Sequence, residues 1–435
     1  MKLTHLLAAV AAAFLVAGSS AAGEMGTRFG APTEGMSKED YQKLVFLDPQ
    51  NTVRMDWHAV KGMDGNFLID NQGEPTVSVV DYHKGETIKK IDMGETGNHH
   101  IWLIPGARYA WSSQRYEKDI WWTIDLTTQE VVDKFSVSMD GKKVIAPLHI
   151  GFAYTKPLAV TGNILDKENG FLTFLSTATR RPITTIKVSC NGARDAMFTL
   201  DDRLVFTTCQ QEPKGVSVVD VATRKDIKWY PIKGGRAGGM SPDGKYFMAS
   251  AKGSLTFFDT RTADIVKTIE VPGGGGNTTC LPDSSKCYVG LRKAEKVGVI
   301  DMAKLELIKT IDTGPDANRL YLNPANSRYG LFANEAGKSD QITVIDTQED
   351  VAVKQIYTGL GPHNIAFNPE GTRAVVSTKK EPVATLVDTS SADPMEWDTI
   401  TTELKAGIQN NGVRWVPSPK ALQAKLAAQA KLAAQ

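Results

Sequence analysis

Apolar residues in this chain recur at every second position in short runs, and the runs stop at turn residues. The stretch Ile342 to Thr378 is the most legible instance. Ile342 and Val344 lead to Asp346 in one predicted strand, Val351, Val353 and Ile356 mark the next, and Ile365 and Phe367 the third. Pro369 and Gly371 supply the turn between strands, since Pro pre-sets φ and Gly tolerates positive φ. Helical periodicity is almost absent between Val60 and Ile400.

The same phrase returns along most of the chain: a strand ending in Asp, a turn, and a second strand ending near Gly. The Asp positions are Asp81, Asp125, Asp220, Asp259, Asp301, Asp346 and Asp388, with Ser176 in the remaining copy. Both side chains can accept from backbone two residues on and start a turn, so a structural role is expected for them. Between copies lies a hairpin, tipped by Ser-Pro-Asp-Gly at 241–244 and Asn-Pro-Glu-Gly at 368–371. The spacing of roughly 44 residues is that of a four-stranded propeller blade. There are eight copies, and the first, from Gly65, lacks an inner strand, while Asn410 to Pro417 is an inner strand with nothing after it. The expected fold is therefore all-β, an eight-bladed β-propeller closed by pairing of N- and C-terminal segments, which leaves no open sheet edge.

Flanking segments follow from composition. Lys2, the apolar run Leu6 to Ala17 and the small residues Ser20-Ala21-Ala22 read as a signal peptide over 1–22; the run is shorter than the ~20 residues of a membrane span. Residues 23–52 read as a polar N-terminal arm with one short helix from Met36 to Leu47, 53–418 as the propeller, and 419–435 as a low-complexity, Ala-rich tail without chemistry, which could be helical but shows no cap and no firm apolar face. Such a leader implies export, to the periplasm in a Gram-negative cell, and no membrane span after cleavage. Formal charge is +1, which gives no reason to expect nucleic acid as a partner. Four cysteines fit an oxidising compartment, and both Cys280 with Cys287 and Cys190 with Cys209 flank hairpins that could bring them together as disulfides.

Candidate chemistry lies where inner strands begin, because those starts converge on a propeller's axis. Aligned on the hairpin tips, their first residues are Asn411, His99, Leu148, Arg194, Arg236, Gly276, Asn318 and His363. The next residues are Gly412, His100, His149, Asp195, Ala237, Asn277, Arg319 and Asn364. Four of the seven histidines fall in this ring, His99, His100, His149 and His363, as candidate metal ligands on one arc. Arg194, Arg236 and Arg319 occupy the other, with Asn318 and Asn411 as further polar contacts. Imidazoles can meet a metal or a cofactor, and guanidiniums can clamp carboxylates bidentately. The bland alternative is a solvated channel lined by satisfied polar groups. His83 reads as a surface residue, and His58 could cover one mouth of the ring. No Gly-x-Ser-x-Gly elbow or phosphate-binding Gly-rich loop is present.

The phrases VSVVDVATRK, VGVIDMAKLELIKTIDTG and ITVIDTQED resemble the YVTN family of propeller repeats, a likeness specific for fold and covering most of the chain. With eight blades and export, the chain also resembles the haem d1 domain of cytochrome cd1 nitrite reductases and the periplasmic propellers that help make haem d1. That resemblance implies a haem d1-like tetrapyrrole, or another small anionic ligand, in the axial funnel, for cofactor binding, maturation or redox chemistry. It also implies a periplasmic redox partner protein. His100 in GNHHIWLIPGARYAW matches the place of the family's axial iron ligand, with His99 as its neighbour. Only His149 and His363 could serve as the family's distal histidines. There is no Cys-x-x-Cys-His, so no c-type haem is expected. Two alternatives stay open: a copper-dependent oxidoreductase resembling the copper propellers, using the same histidines, and a non-catalytic scaffold for protein partners.

Overall fold

Short strands with one apolar face can bury it only by stacking sheet on sheet, and a ring of such sheets needs no end cap. The computed structural model is that ring. It describes residues 62–433 apart from positions 106, 107, 117, 234, 336 and 338, together with two short strands, Leu44–Phe46 and Arg54–Asp56. Eight four-stranded antiparallel sheets make the blades. Blade 1 joins Asn410–Pro417 to Gly65–Asn71, Thr76–Asp81 and Glu86–Asp92. Blades 2 to 8 run from Asn98 to Ser136, Ile150 to Val188, Asn191 to Pro231, Ala237 to Glu270, Thr278 to Asp312, Ala317 to Tyr357 and Pro362 to Leu404. Burial falls from axis to rim. The innermost strands of blades 1 and 8 are buried at every residue, whereas Glu86–Asp92 at the rim is mostly exposed. Aromatic rings cross between neighbouring blades, as where Phe206 stacks on Phe247 at 4.9 Å.

The repeated Asp positions do the structural work expected of them. Asp81 Oδ1 accepts from the backbone N–H groups of His83 and Lys84, Asp259 from Arg261 and Thr262, and Asp346 from Gln348 and Glu349. Ser176 Oγ accepts from Thr179 N at 3.1 Å in the divergent copy. Each such bond fixes the turn between a blade's third and fourth strands. Both cysteine pairs, Cys190–Cys209 and Cys280–Cys287, are disulfides, and Cys280 and Cys287 are directly paired residues of adjacent strands. No helix among the described residues is long and apolar enough to cross a membrane.

Two expectations for the flanks change. Leu44–Phe46, the end of the expected helix, pairs antiparallel with Arg54–Asp56, as suits a Leu-Val-Phe run with a β-branched centre. The rest of the arm, the leader at 1–22 and His58 lie outside the described residues. Residues 419–433 are helical, as α1 (Pro419–Ala433), and the cap that the sequence did not show is present. Ser418 caps it, its Oγ accepting from Ala421 N, and Pro419 takes the first position, where its missing N–H is not needed. Leu422 is 1% exposed against the core that holds Trp415 and Trp111, and Gln423 donates to the Thr127 carbonyl. Thus α1 lies on the closing blade and its neighbour.

Closure occurs in blade 1, where Gly65 pairs with Pro417, Phe67 with Trp415 and Ile69 with Val413. A Cβ at Gly65 would come within 2.4 Å of the Trp415 ring, so the indole needs glycine opposite it. The seam also buries charge. Asp70 is fully buried; its Oδ1 accepts from Asn98 Nδ2 at 3.1 Å and Ser112 Oγ at 3.0 Å in blade 2, while Oδ2 has no hydrogen-bond partner. Burial pushes this carboxyl up to about 7, against those two hydrogen bonds and the positive charge of Arg414.

Two predictions follow from the seam. Trp415→Ala should lower unfolding free energy by about 3–5 kcal/mol, read from denaturant midpoints, and a chain ending at residue 407 should lose cooperative unfolding altogether. For Asp70, the folded state holds a proton that the unfolded chain releases between its ordinary value of 3.8 and about 7. That contribution to stability therefore declines as pH rises through this window. Asp70→Asn should gain in melting temperature relative to wild type between pH 5 and pH 8; a difference constant with pH would contradict the assignment.

Candidate functional site

The innermost strands all begin at one mouth of the ring, and there they line a pocket that opens to solvent. His99, His100, His149, Arg194, Arg236, Asn318, Arg319 and His363 line it, brought together from widely separated positions. Asn411 stands behind this wall, its Nδ2 3.0 Å from Gln72 Oε1 and 2.7 Å from His99 Nδ1.

A second tier of residues is as important and follows from strand pairing. In an antiparallel sheet the end of the second strand lies beside the start of the first, as in the pairs Asn98 with Gln114, Ala317 with Asn334 and Pro362 with Thr378. The residue after each second strand therefore also reaches the mouth. These are Gln72, Arg115, Lys252, Arg292, Glu335 and Lys379 in blades 1, 2, 5, 6, 7 and 8. An alignment of first-strand starts alone misses them; extending the register by one hairpin would have found them. Their presence also removes the expected separation into a histidine arc and an arginine arc. Arg115 and Lys379 stand on the histidine side, and Arg115 Nη1 lies 3.3 Å from His99 Nε2.

The four histidines are held in different ways. His99 is contacted at both ring nitrogens: Nε2 faces the Arg115 guanidinium, and Nδ1 faces Gln72 Oε1 at 2.9 Å and the Asn411 amide at 2.7 Å. The Nδ1 of His149 donates to the Asp195 carboxylate, which leaves Nε2 with its lone pair. His363 Nε2 is 3.2 Å from Glu335 Oε1, and its Nδ1 is 2.5 Å from Asn364 Nδ2. His100 Nδ1 is buried without a hydrogen-bond partner, and its ring lies 5.4 Å from His149 and 6.4 Å, stacked, from His363. One donor atom from each of His99, His100 and His149 lies within 4.8 Å of the others, whereas His363 falls outside that group. Burial, reinforced by neighbouring cations, drives the His99, His100 and His363 values well below normal; burial also lowers His149, though Asp195 opposes it. All four are neutral near pH 7, the form that can ligate a metal.

Six cationic side chains line the pocket, Arg115, Arg194, Arg236, Arg292, Arg319 and Lys379, against one lining carboxylate, Glu335. The acids nearby are already committed. Burial opposes ionisation of Asp195, but Arg194, His149 and the Gly238 N–H bring it down to about 2. Glu335, likewise penalised by burial, is held well below the usual carboxylate range by His363, Lys379 and Arg292, and it accepts from Asn318. The cations show the opposite strain. Burial lowers Lys379 to about 8, with Arg115 and Arg292 adding to the effect. Arg236 is exposed to funnel water yet ringed by protein, and that enclosure, with Arg292 and Arg194, lowers it to about 10. Such a site repels a bare cation and attracts an anion.

No family model and no curated protein matches the chain. Among solved structures it is similar to dihydro-heme d1 dehydrogenase NirN in complex with DHE, with a TM-score of 0.61 and 15% identity over 90% of this chain and 83% of that one. A second similar structure is Kuenenia stuttgartiensis hydrazine synthase, with a TM-score of 0.49 and 16% identity over 76% of this chain and 97% of that one. At these identities the likeness to NirN is one of fold, the propeller itself.

Proposed function

We propose that this is an exported, periplasmic propeller whose funnel binds a carboxylate-bearing tetrapyrrole of the haem d1 kind, in its delivery, maturation or redox chemistry. The observation that carries the reading is the meeting of neutral imidazoles with six cationic side chains in one pocket. The tetrapyrrole's carboxylates would fall to Arg194, Arg236 and Arg319, whose planar forks suit them. Its iron would be reached by His100 or His149. His149 has the carboxylate-backed imidazole typical of strong metal ligands, and His100 is the residue whose buried ring nitrogen lacks a partner. When bound, the iron supplies the redox chemistry, and a periplasmic partner protein would exchange the electrons. The similar propeller NirN, named as a dihydro-heme d1 dehydrogenase and seen with DHE, is consistent with this reading. The two disulfides agree with an oxidising compartment.

Copper is the second reading, favoured by the grouping of His99, His100 and His149. The surrounding guanidiniums weigh against a bare dication, whereas a macrocycle brings its own negative charge. In this reading His99 would first have to lose its contact with Arg115.

Titration of the purified protein with haem, followed at the Soret band, tests the proposal. Wild type should show a saturable shift, His100→Ala or His149→Ala should abolish its imidazole-ligated position, and Arg194→Ala should weaken binding roughly tenfold. Identical titrations for all four proteins would overturn the reading. A copper signal in metal analysis, with no Soret change, would favour the second one.

A further inference from the structure

The funnel has a side compartment that neither the histidines nor a metal explains. It opens at the mouth between blades 5 and 6 as a solvent-filled concavity. Arg236, Lys252, Arg292 and Lys293 line it, with Asp316 as the one acid. The fold brings these cations together for the reason given above: Arg236 precedes an innermost strand, while Lys252 and the Arg292–Lys293 pair follow second strands. The floor is bare backbone at Gly274 and Gly275, and Gly275 has φ of +108°, a conformation side-chain-bearing residues rarely adopt.

Asp316 does not neutralise this group. Its Oδ2 accepts from Arg292, which also reaches Glu335 at 3.3 Å, so one guanidinium already serves two carboxylates. Among the described residues, Arg236, Lys252 and Lys293 make no side-chain hydrogen bond or ion pair. Isolated exposed lysines need no explanation, since their heads are well solvated. Here, however, the unmatched cations face one shared concavity rather than diverging over a convex surface. Their fields add within it, and low-dielectric walls focus the sum.

We propose that this compartment is a second oxyanion subsite, taking a phosphate or carboxylate group held by Arg236, Lys252 and Lys293. It rests on the reading of the funnel as an anion site, but not on iron or on the histidines. The group could be an arm of the funnel ligand or a separate molecule, and the two are separable by experiment.

Calorimetric titration with inorganic pyrophosphate, at low ionic strength on the full chain, is the test. Wild type should bind it, with affinity that falls as salt rises. The variant Lys252→Ala/Lys293→Ala should lose about tenfold or more, since two charge-assisted contacts go. A control, Lys225→Ala/Lys304→Ala, which removes lysines at the junctions of third and fourth strands on the opposite face, should bind as wild type does. Absence of binding by wild type, or equal loss in the control, would overturn the subsite. So would equal affinity of wild type and the Lys252/Lys293 variant. Haem titration of that same variant identifies the source: weakened haem binding marks an arm of the funnel ligand, and unchanged haem binding marks an independent oxyanion. Pyrophosphate binding without any Soret response to haem would sink the tetrapyrrole reading and leave the subsite standing.

Discussion

Closing eight sheets into a ring brings the starts of the first strands and the ends of the second strands to a single mouth, where their charges cannot spread apart. Everything at the site follows from how that crowding is met. Asp195 and Glu335 relieve part of it internally, through Arg194 and His149 on one side and Arg292, His363 and Asn318 on the other. What they leave is a surplus of positive charge, registered in the depressed values of Lys379 and Arg236. A surplus held in place by sheet register, rather than by flexible loops, is a preorganised positive field, which is what the proposed anion site would require. The protein spends stability on it before any ligand arrives.

The same crowding decides what each imidazole can do. His99 is engaged at both nitrogens, by Gln72 and Arg115, and His363 is engaged by Glu335 and Asn364. Engagement fixes a ring but takes up its lone pair. His149, with Asp195 behind it, and His100, next to it, keep that capacity. The funnel thus presents four histidines of one residue type in distinct electrostatic roles, set by neighbours supplied from different blades.

Much of this was legible in the sequence because the repeat is regular. The period-two runs, the Asp-led turns and the split first repeat together specify blade count and closure, and Asp81, Asp259 and Asp346 bond as the turn chemistry requires. Placing His99, His100, His149 and Arg194 around one axis needed only the alignment of strand starts. Arg115, Arg292, Glu335 and Lys379 escaped it because they follow second strands, and a first-strand alignment does not ask where the hairpin returns. α1 was only partly legible, for another reason. Its low-complexity sequence lacks a strong apolar face, and its order comes from the Ser418 cap and the burial of Leu422 on a surface that the sequence alone does not display. The reach of Leu44–Phe46 was misread because a three-residue strand is too short for its periodicity to stand out.

The seam in blade 1 sets an order in time. Its inner strand is the last part of the ring to be synthesised, and Gly407, which donates its N–H to the Asn71 side chain, lies 336 residues downstream of it. Until that strand emerges, the first blade is a three-stranded sheet with a bare edge, while the remaining blades can already assemble. Contacts this distant in sequence form slowly, and a waiting edge is open to any other strand it meets. The ring that hides its edges so well at the end therefore exposes one for longest on the way, from the synthesis of Gly65–Asn71 until Asn410–Pro417 pairs beside it.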